Sequence, residues 1–298
     1  MFKRLLVGVD FSDISDAVVD SAAFLANLFD AEVYLITVIE PPVPSFVGSD
    51  IDGTLEAEEL EILLEIEKTL EKEANEKLSK YIQKLKKQGI KAEKFVEVGL
   101  VVDTVLDKLN EIKADLLVIG GHKEGLIDKI LLGSTANKLV NKSPVSTLVV
   151  KGKVLDKISI ELVGYDFHQS SKQALEVAKE IAYKTDSEII LAHADVPVSI
   201  SLLSNISSSL TQKKKEILKE IVQQLNQEGL SAFFELEQGK PEEVIIKLQE
   251  KYKPDLTLIG KRRTSLLERL FLGDTAQKVV EKSSLPVLVV RRVNEKKD

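Results

Sequence analysis

Asp10, the segment Gly120-Gly121-His122-Lys123-Glu124-Gly125 and the triplet Gly133-Ser134-Thr135 are the residues whose types and spacing suit chemistry. The glycines and hydroxyls suit a phosphate, because successive backbone N–H groups in a glycine-rich turn, followed by a helix N-terminus, hold an anion. Lys123 supplies a cation for the same anion. A strand-end carboxylate such as Asp10 accepts hydrogen bonds from a ribose or a base edge, or else caps the helix after it. The glycines have a plainer reading too, as tight turns without a ligand. The Gly-Lys-Ser/Thr ending of a Walker loop is missing, so neither a motor nor a kinase is implied.

The same grammar returns in the second half of the chain. Leu256-Thr257-Leu258-Ile259-Gly260 repeats the apolar run Leu116-Leu117-Val118-Ile119-Gly120, and Gly273-Asp274-Thr275 repeats Gly133-Ser134-Thr135. Between them stands Lys261-Arg262-Arg263, with no glycine, and Asp274 replaces a hydroxyl with a carboxylate. A carboxylate there repels a phosphate. The three cations either pair with Asp274 or Glu268 and fill the cleft, or bind a different anion.

These residues need a frame. Short apolar runs at Leu5–Val9, Ala31–Ile39, Ala92–Val98, Asp115–Ile119 and Val145–Val150 alternate with helical periodicities at Ser15–Phe29, Leu55–Gln88, Val101–Lys113 and Thr135–Asn141. Ser12, Asp13 and Ser15 are candidate caps for the first helix. Helical crossovers between all five strands require a parallel sheet. After Lys151-Gly152-Lys153 the programme restarts: Tyr165-Asp166-Phe167 answers to Val9-Asp10-Phe11, and Gly229 and Gly239 answer to Gly89 and Gly99. The offset between the copies narrows from the first pair to the second. The second copy is thus the shorter between its second and third strands, where its helix is expected from Thr211 to Glu228. An internal repeat of this kind predicts two similar α/β domains, 1–151 and 155–293, rather than one large sheet. The fifth strands, Thr147–Val150 and Val287–Val290, are apolar edges that pairing with each other or between chains would cover.

Composition narrows the function. The 298 residues carry a net charge of −7, which argues against a dedicated nucleic-acid binder. No apolar run approaches the ~20 residues of a membrane span, and Met1-Phe2-Lys3-Arg4 does not resemble a secretory leader. Cysteine is absent, which removes thiolate chemistry. The expected compartment is the cytoplasm. Of three histidines, His122 lies in the first glycine loop, while His168 and His193 fall near Asp166 at neighbouring strand ends. A metal or acid–base pair is imaginable there, but two loop histidines more often bond locally.

The repeated pattern resembles the universal stress protein family in its tandem form, along essentially the whole chain. Nucleotide-binding members carry a strand-end Asp and the motif Gly-x2-Gly-x9-Gly-Ser/Thr. Gly120, Gly133 and Ser134 match its ends, with Lys123 where the middle glycine belongs and Gly125 two residues on. Asp10 falls at the acidic position beside adenine or ribose, and Val38 where a backbone group meets adenine. In the second copy Asp166 and Gly260 persist, with Ala194 at the Val38 position and Arg263 at the middle glycine.

The resemblance implies two Rossmann-like domains, each a five-stranded parallel sheet in the order 3-2-1-4-5 flanked by helices and related by a pseudo-twofold axis. It implies a stress-response regulator binding ATP, ADP or AMP with magnesium in the first domain, through Asp10, Val38, Gly120, His122, Lys123, Gly125, Gly133, Ser134 and Thr135. The second domain is expected to hold none. No residue presents itself as a general base, so catalysis beyond slow ATP hydrolysis is not expected. Partners would be other proteins or further copies of the chain. Two alternatives stand beside this: a scaffold that binds no nucleotide, and a binder of small molecules or lipids using the Pro41–Gly53 loop and the long helix after it.

Overall fold

The computed structural model describes residues 1–41, 57–121, 132–196, 204–261 and 273–291. In the first repeat β1 (Arg4–Gly8), α1 (Ser15–Phe29), β2 (Glu32–Ile39), α2 (Ala57–Lys87), β3 (Ala92–Val98), α3 (Val101–Glu111), β4 (Leu116–Gly120), α4 (Ser134–Lys142) and β5 (Ser146–Val150) follow one another. The second repeat runs β6 (Ile160–Gly164), α5 (Gln169–Thr185), β7 (Glu188–Asp195), α6 (Ser204–Gln227), β8 (Ser231–Gln238), α7 (Pro241–Tyr252), β9 (Leu256–Gly260), α8 (Asp274–Lys282) and β10 (Val287–Val290).

Each repeat orders its strands as expected, β3-β2-β1-β4-β5 and β8-β7-β6-β9-β10, with parallel neighbours inside each half. The division into separate sheets is corrected, however. β5 and β10 pair antiparallel and fuse the halves into one ten-stranded sheet. Both are short, apolar and fully buried, so leaving either as an edge would expose a template for aggregation. At the centre Leu148 faces Leu288, its own counterpart in the second repeat, which puts the pseudo-twofold at this pair.

Side chains alternate across the pleat. Leu5, Val7, Leu116 and Val118 enter a core beneath α1, α2, α5 and α6, while Leu6, Leu117 and Ile119 enter a second core beneath α3, α4, α7 and α8. With both faces covered, the strands are nearly continuous apolar runs. The Asp before each fourth strand ties this frame together. Asp115 accepts the backbone N–H groups of Lys3 and Arg4, and Asp255 those of Ser159 and Ile160 together with Lys153 Nζ at 2.7 Å. The linker is held as well, since the Leu155 N–H donates to Ser21 Oγ on α1 at 2.9 Å.

Two local expectations fail. α6 begins at Ser204 rather than Thr211, and the sheet holds it at the expected start, where Asp195 accepts Thr211 Oγ1 and pairs with Lys214 Nζ at 2.6 Å. At α1 the N-cap is Ile14 with no side-chain cap. The hydroxyls of Ser12 and Ser15 turn instead to Asp10.

Candidate functional site

In each repeat the chain runs outward from its first strand and then returns to the other side of it, so a crevice opens at the carboxyl ends of the first and fourth strands. In repeat 1 this edge gathers Asp10 after β1, Thr37 and Val38 near the end of β2, Gly120 closing β4, and Gly133-Ser134-Thr135 opening α4. Asp10 is exposed, Val38 half-buried, and Ser134 and Thr135 exposed. Of the expected ligand residues, His122, Lys123 and Gly125 lie outside the described residues, as do Arg262, Arg263, Glu268 and residues 42–53 of the proposed lipid-binding loop.

Asp10 is pre-bonded. One carboxylate oxygen accepts the Ser12 N–H at 3.1 Å, Ser12 Oγ at 2.6 Å and Ser15 Oγ at 3.0 Å. Burial raises its pKa, but the Ser12 and Ser15 bonds outweigh that and hold it below the usual carboxylate value, so it stays ionised at neutral pH. The carboxylate thus organises the entry to α1, as a cap would, through one oxygen.

Phe11 then takes φ 60°, and its counterpart Phe167 φ 64°. A left-handed backbone is unusual for a bulky residue, and its recurrence beside the strand-end Asp in both repeats marks a shape the fold imposes twice. The repeated Asp-Phe pair was the available sequence signal.

The strand-end glycines are explained by close packing. A Cβ on Gly120 would stand 2.8 Å from Ile14 Cγ2, and one on Gly260 would stand 2.2 Å from the Ser170 carbonyl oxygen. The first turn of α1 or α5 crosses directly over each strand end. Gly133 has φ −59° and ψ 149°, values open to any residue, and serves as N-cap of α4 without a side-chain cap bond. The first turn of α4 carries no acidic residue, whereas that of α8 carries Asp274. The positive end of α4 thus carries no carboxylate from its own first turn, while that of α8 carries Asp274.

Repeat 2 encloses a cavity of about 480 Å³ at the equivalent edge, lined among others by Tyr165, Asp166, Ser170, Ala194, Ile245 and Asp274. His193 lies at its margin with Nδ1 2.7 Å from the Tyr165 carbonyl oxygen and its ring 4.7 Å from that of Phe167. A carbonyl only accepts, so Nδ1 carries the proton. Burial lowers the imidazole pKa and keeps it neutral, leaving Nε2 buried without a hydrogen bond. His168 is exposed and bonds Asp166 through its backbone N–H at 3.1 Å. The two histidines are thus engaged separately, and among the described residues no group of three or more His, Asp or Glu is placed to hold a metal.

Lys261 does not pair with Asp274 as one reading had it. Its Nζ crosses the seam to the carbonyl oxygens of Val140 (3.0 Å) and Asn141 at the carboxyl end of α4. Lys151 makes the reciprocal crossing, to Val280 and Glu281 (3.1 Å) at the end of α8.

The fold and this edge define a tandem, doubly wound α/β protein whose two sheet-edge crevices differ in charge. The model of the universal stress protein family matches residues 1–151 and 161–291. The chain belongs to that family. A universal stress protein of Methanocaldococcus jannaschii, MJ0531, is 30% identical over 151 residues, covering 51% of this chain and 83% of its own. Universal stress protein Slr1230 of Synechocystis is 27% identical over 301 residues, covering 97% of this chain and 100% of its own. A crystal structure of a universal stress protein from Archaeoglobus fulgidus superposes with a TM-score of 0.72 at 23% identity, covering 98% of this chain and 97% of that one. That likeness speaks for the fold. Among the described residues no helix is long and apolar enough to cross a membrane.

Proposed function

We propose that this chain is a cytoplasmic stress-response regulator that binds an adenine nucleotide at the crevice of repeat 1. The observation that carries this reading is the open amino end of α4: Ser134 and Thr135 at its mouth, no acidic residue in the first turn, and ionised Asp10 on the same sheet edge. Phosphates would meet the α4 N–H groups and hydroxyls, and magnesium would supply a countercharge to them. The ribose or base would meet the second carboxylate oxygen of Asp10 and the backbone at Val38. The chemistry is binding rather than turnover. Nucleotide that joins the loops after β1, β2 and β4 would favour one arrangement of the surface offered to a partner protein or a further copy of the chain, by its differential affinity for the two arrangements.

The cavity of repeat 2 favours a second reading, in which that half also takes a ligand, though not a phosphate, because Asp274 stands where Ser134 stands in repeat 1. Calorimetric titration of ATP, ADP and AMP, with and without magnesium, into the full chain tests both. The expected result is one site per chain, weakened about tenfold or more by Asp10→Ala and by Ser134→Ala. No heat and no thermal shift would refute nucleotide binding and leave the scaffold reading. A second nucleotide equivalent that survives both substitutions would refute the exclusion of phosphate from repeat 2.

A further inference from the structure

α4 and α8 are short, with 9 residues each, about 13 Å at the helical rise. In so short a helix the amino-terminal N–H groups and carboxyl-terminal carbonyls that lack helical partners make up about half of the backbone polar groups, so its position depends on what holds its ends. The amino end of each helix lies in its own repeat's crevice. The carboxyl end of each is held by a buried lysine from the other repeat.

The arrangement is reciprocal but is built from different positions. Val140 and Asn141 on α4 correspond to Val280 and Glu281 on α8 in the register of the repeat. The lysine reaching α4 is Lys261, whose counterpart in repeat 1 is Gly121; the lysine reaching α8 is Lys151, whose counterpart in repeat 2 is Arg291. Both lysines are buried, Lys151 to 1% and Lys261 to 8% exposure. Gly121 is what lets Lys151 pass: a Cβ there would stand 2.9 Å from Lys151 Cε and 2.6 Å from Val149 Cγ1. Arg291 joins the α4 side, its guanidinium donating to the Ser143 carbonyl oxygen and its N–H to Ser146 Oγ at 3.1 Å.

The chain path then links the crevices. Lys261 directly follows Gly260, which lines the repeat 2 cavity, and ends on α4, which opens the repeat 1 crevice with Ser134. Lys151 lies against Gly121, the residue after strand-end Gly120, and ends on α8, whose amino end lines the repeat 2 cavity.

We infer that Lys151 and Lys261 are positioning residues that couple the two crevices, each carrying a displacement at the end of one repeat's fourth strand to the short crevice-facing helix of the other. A lysine amine at a helix carboxyl end donates to carbonyls that have no partner within the helix. Movement at Gly260-Lys261 is therefore felt at Ser134 through one rigid rod. Loosening at Gly120-Gly121 is felt at Asp274 through the other.

Hydrogen exchange on the full chain tests this without any ligand. In Lys261→Met the amides of Asn137 to Leu139, on the amino-terminal side of the lost contact, should exchange at least fivefold faster, while α8 stays within twofold of the wild type. Lys151→Met should give the converse pattern. Rates are compared at equal global stability, set with denaturant, and Lys261→Leu, which also removes the donor, replaces the Met variant if that does not fold. Change confined to the last turn of α4, or equal change in both helices, would overturn the coupling. A second arm rests on the nucleotide reading: ATP affinity in repeat 1 should fall about three- to tenfold in Lys261→Met although Lys261 belongs to the other repeat. Absence of ATP binding by the wild type would sink that reading alone, because the exchange arm is decided without ATP.

Discussion

Glu161 is the perturbation with the largest calculable consequence. It sits in β6 with no exposed surface, where repeat 1 has Leu5. Oε1 accepts Ser187 Oγ at 2.6 Å, and Oε2 has no partner. Burial, only partly offset by the Ser187 bond, raises its pKa from 4.5 to about 8. The folded protein therefore keeps a proton that the unfolded chain loses above pH 4.5. Below that pH both states are protonated and burial of the charge costs nothing. From pH 4.5 to about 8 the unfolded state gains by ionising, and stability falls by about 1.4 kcal/mol per unit. Above about pH 8 the folded state ionises too and the loss levels off. The shift corresponds to roughly 3–5 kcal/mol in all. Glu161→Leu, which installs the residue of the first repeat, should remove this slope. Urea denaturation of both proteins at pH 5, 6.5 and 8.5 gives the difference in stability free of every other titrating group. That difference should grow by several kcal/mol in favour of leucine between pH 5 and 8.5. A difference constant across the three pH values would refute the account of Glu161 as a protonated buried acid.

Two further outcomes follow from the frame. Gly121→Ala places a methyl against Val149 and the Lys151 stem, and should cost about 1–3 kcal/mol by overpacking; a thermal melt unchanged within one degree would contradict the contact. Asp255 is held below the ordinary carboxylate range because the Lys153 ammonium and two backbone N–H groups outweigh its burial. Its contribution is therefore present above about pH 4 and lost as pH falls through the lowered value. Asp255→Asn should destabilise at pH 7 by about 1–3 kcal/mol and by less at pH 3, as read by chemical denaturation; an equal loss at both values would place the effect in packing instead.

Much of this architecture is written in local pattern. α1 and β3 fall on the residues that periodicity assigns to them, because each pairs a clear apolar face with a turn signal at its ends. The duplication is legible in phase alone. The junction of β5 with β10 was one of two pairings open to apolar edges, since a strand does not record whether its neighbour belongs to the same chain. The start of α6 was hidden because serines 204 and 207–209 are poor helix formers. At the site, Asp10, Gly120, Ser134 and Thr135 are brought to one edge as their strand and helix ends dictate. The seam contacts of Lys151 and Lys261 were not legible, because lysine reads as solvent-facing: the first reads as part of the joint between the copies and the second as a cation of its own cleft. The signal was faint: Lys151 directly continues the buried run Thr147–Val150, and a glycine in one copy answers to a lysine in the other.

The facing of Leu148 by Leu288 has a consequence for how such a chain can change over generations. In a dimer of single repeats every substitution appears on both sides of the axis, so a carboxylate placed at one crevice is placed at both. Joining the copies through residues 151–159 fixes them at one to one and keeps the halves at high effective concentration whatever the protein's abundance. Each half is then free to vary alone. Asp274, Lys261 and Glu161 have no counterpart of the same type in the first half, and a symmetric assembly would have had to accept each of them twice.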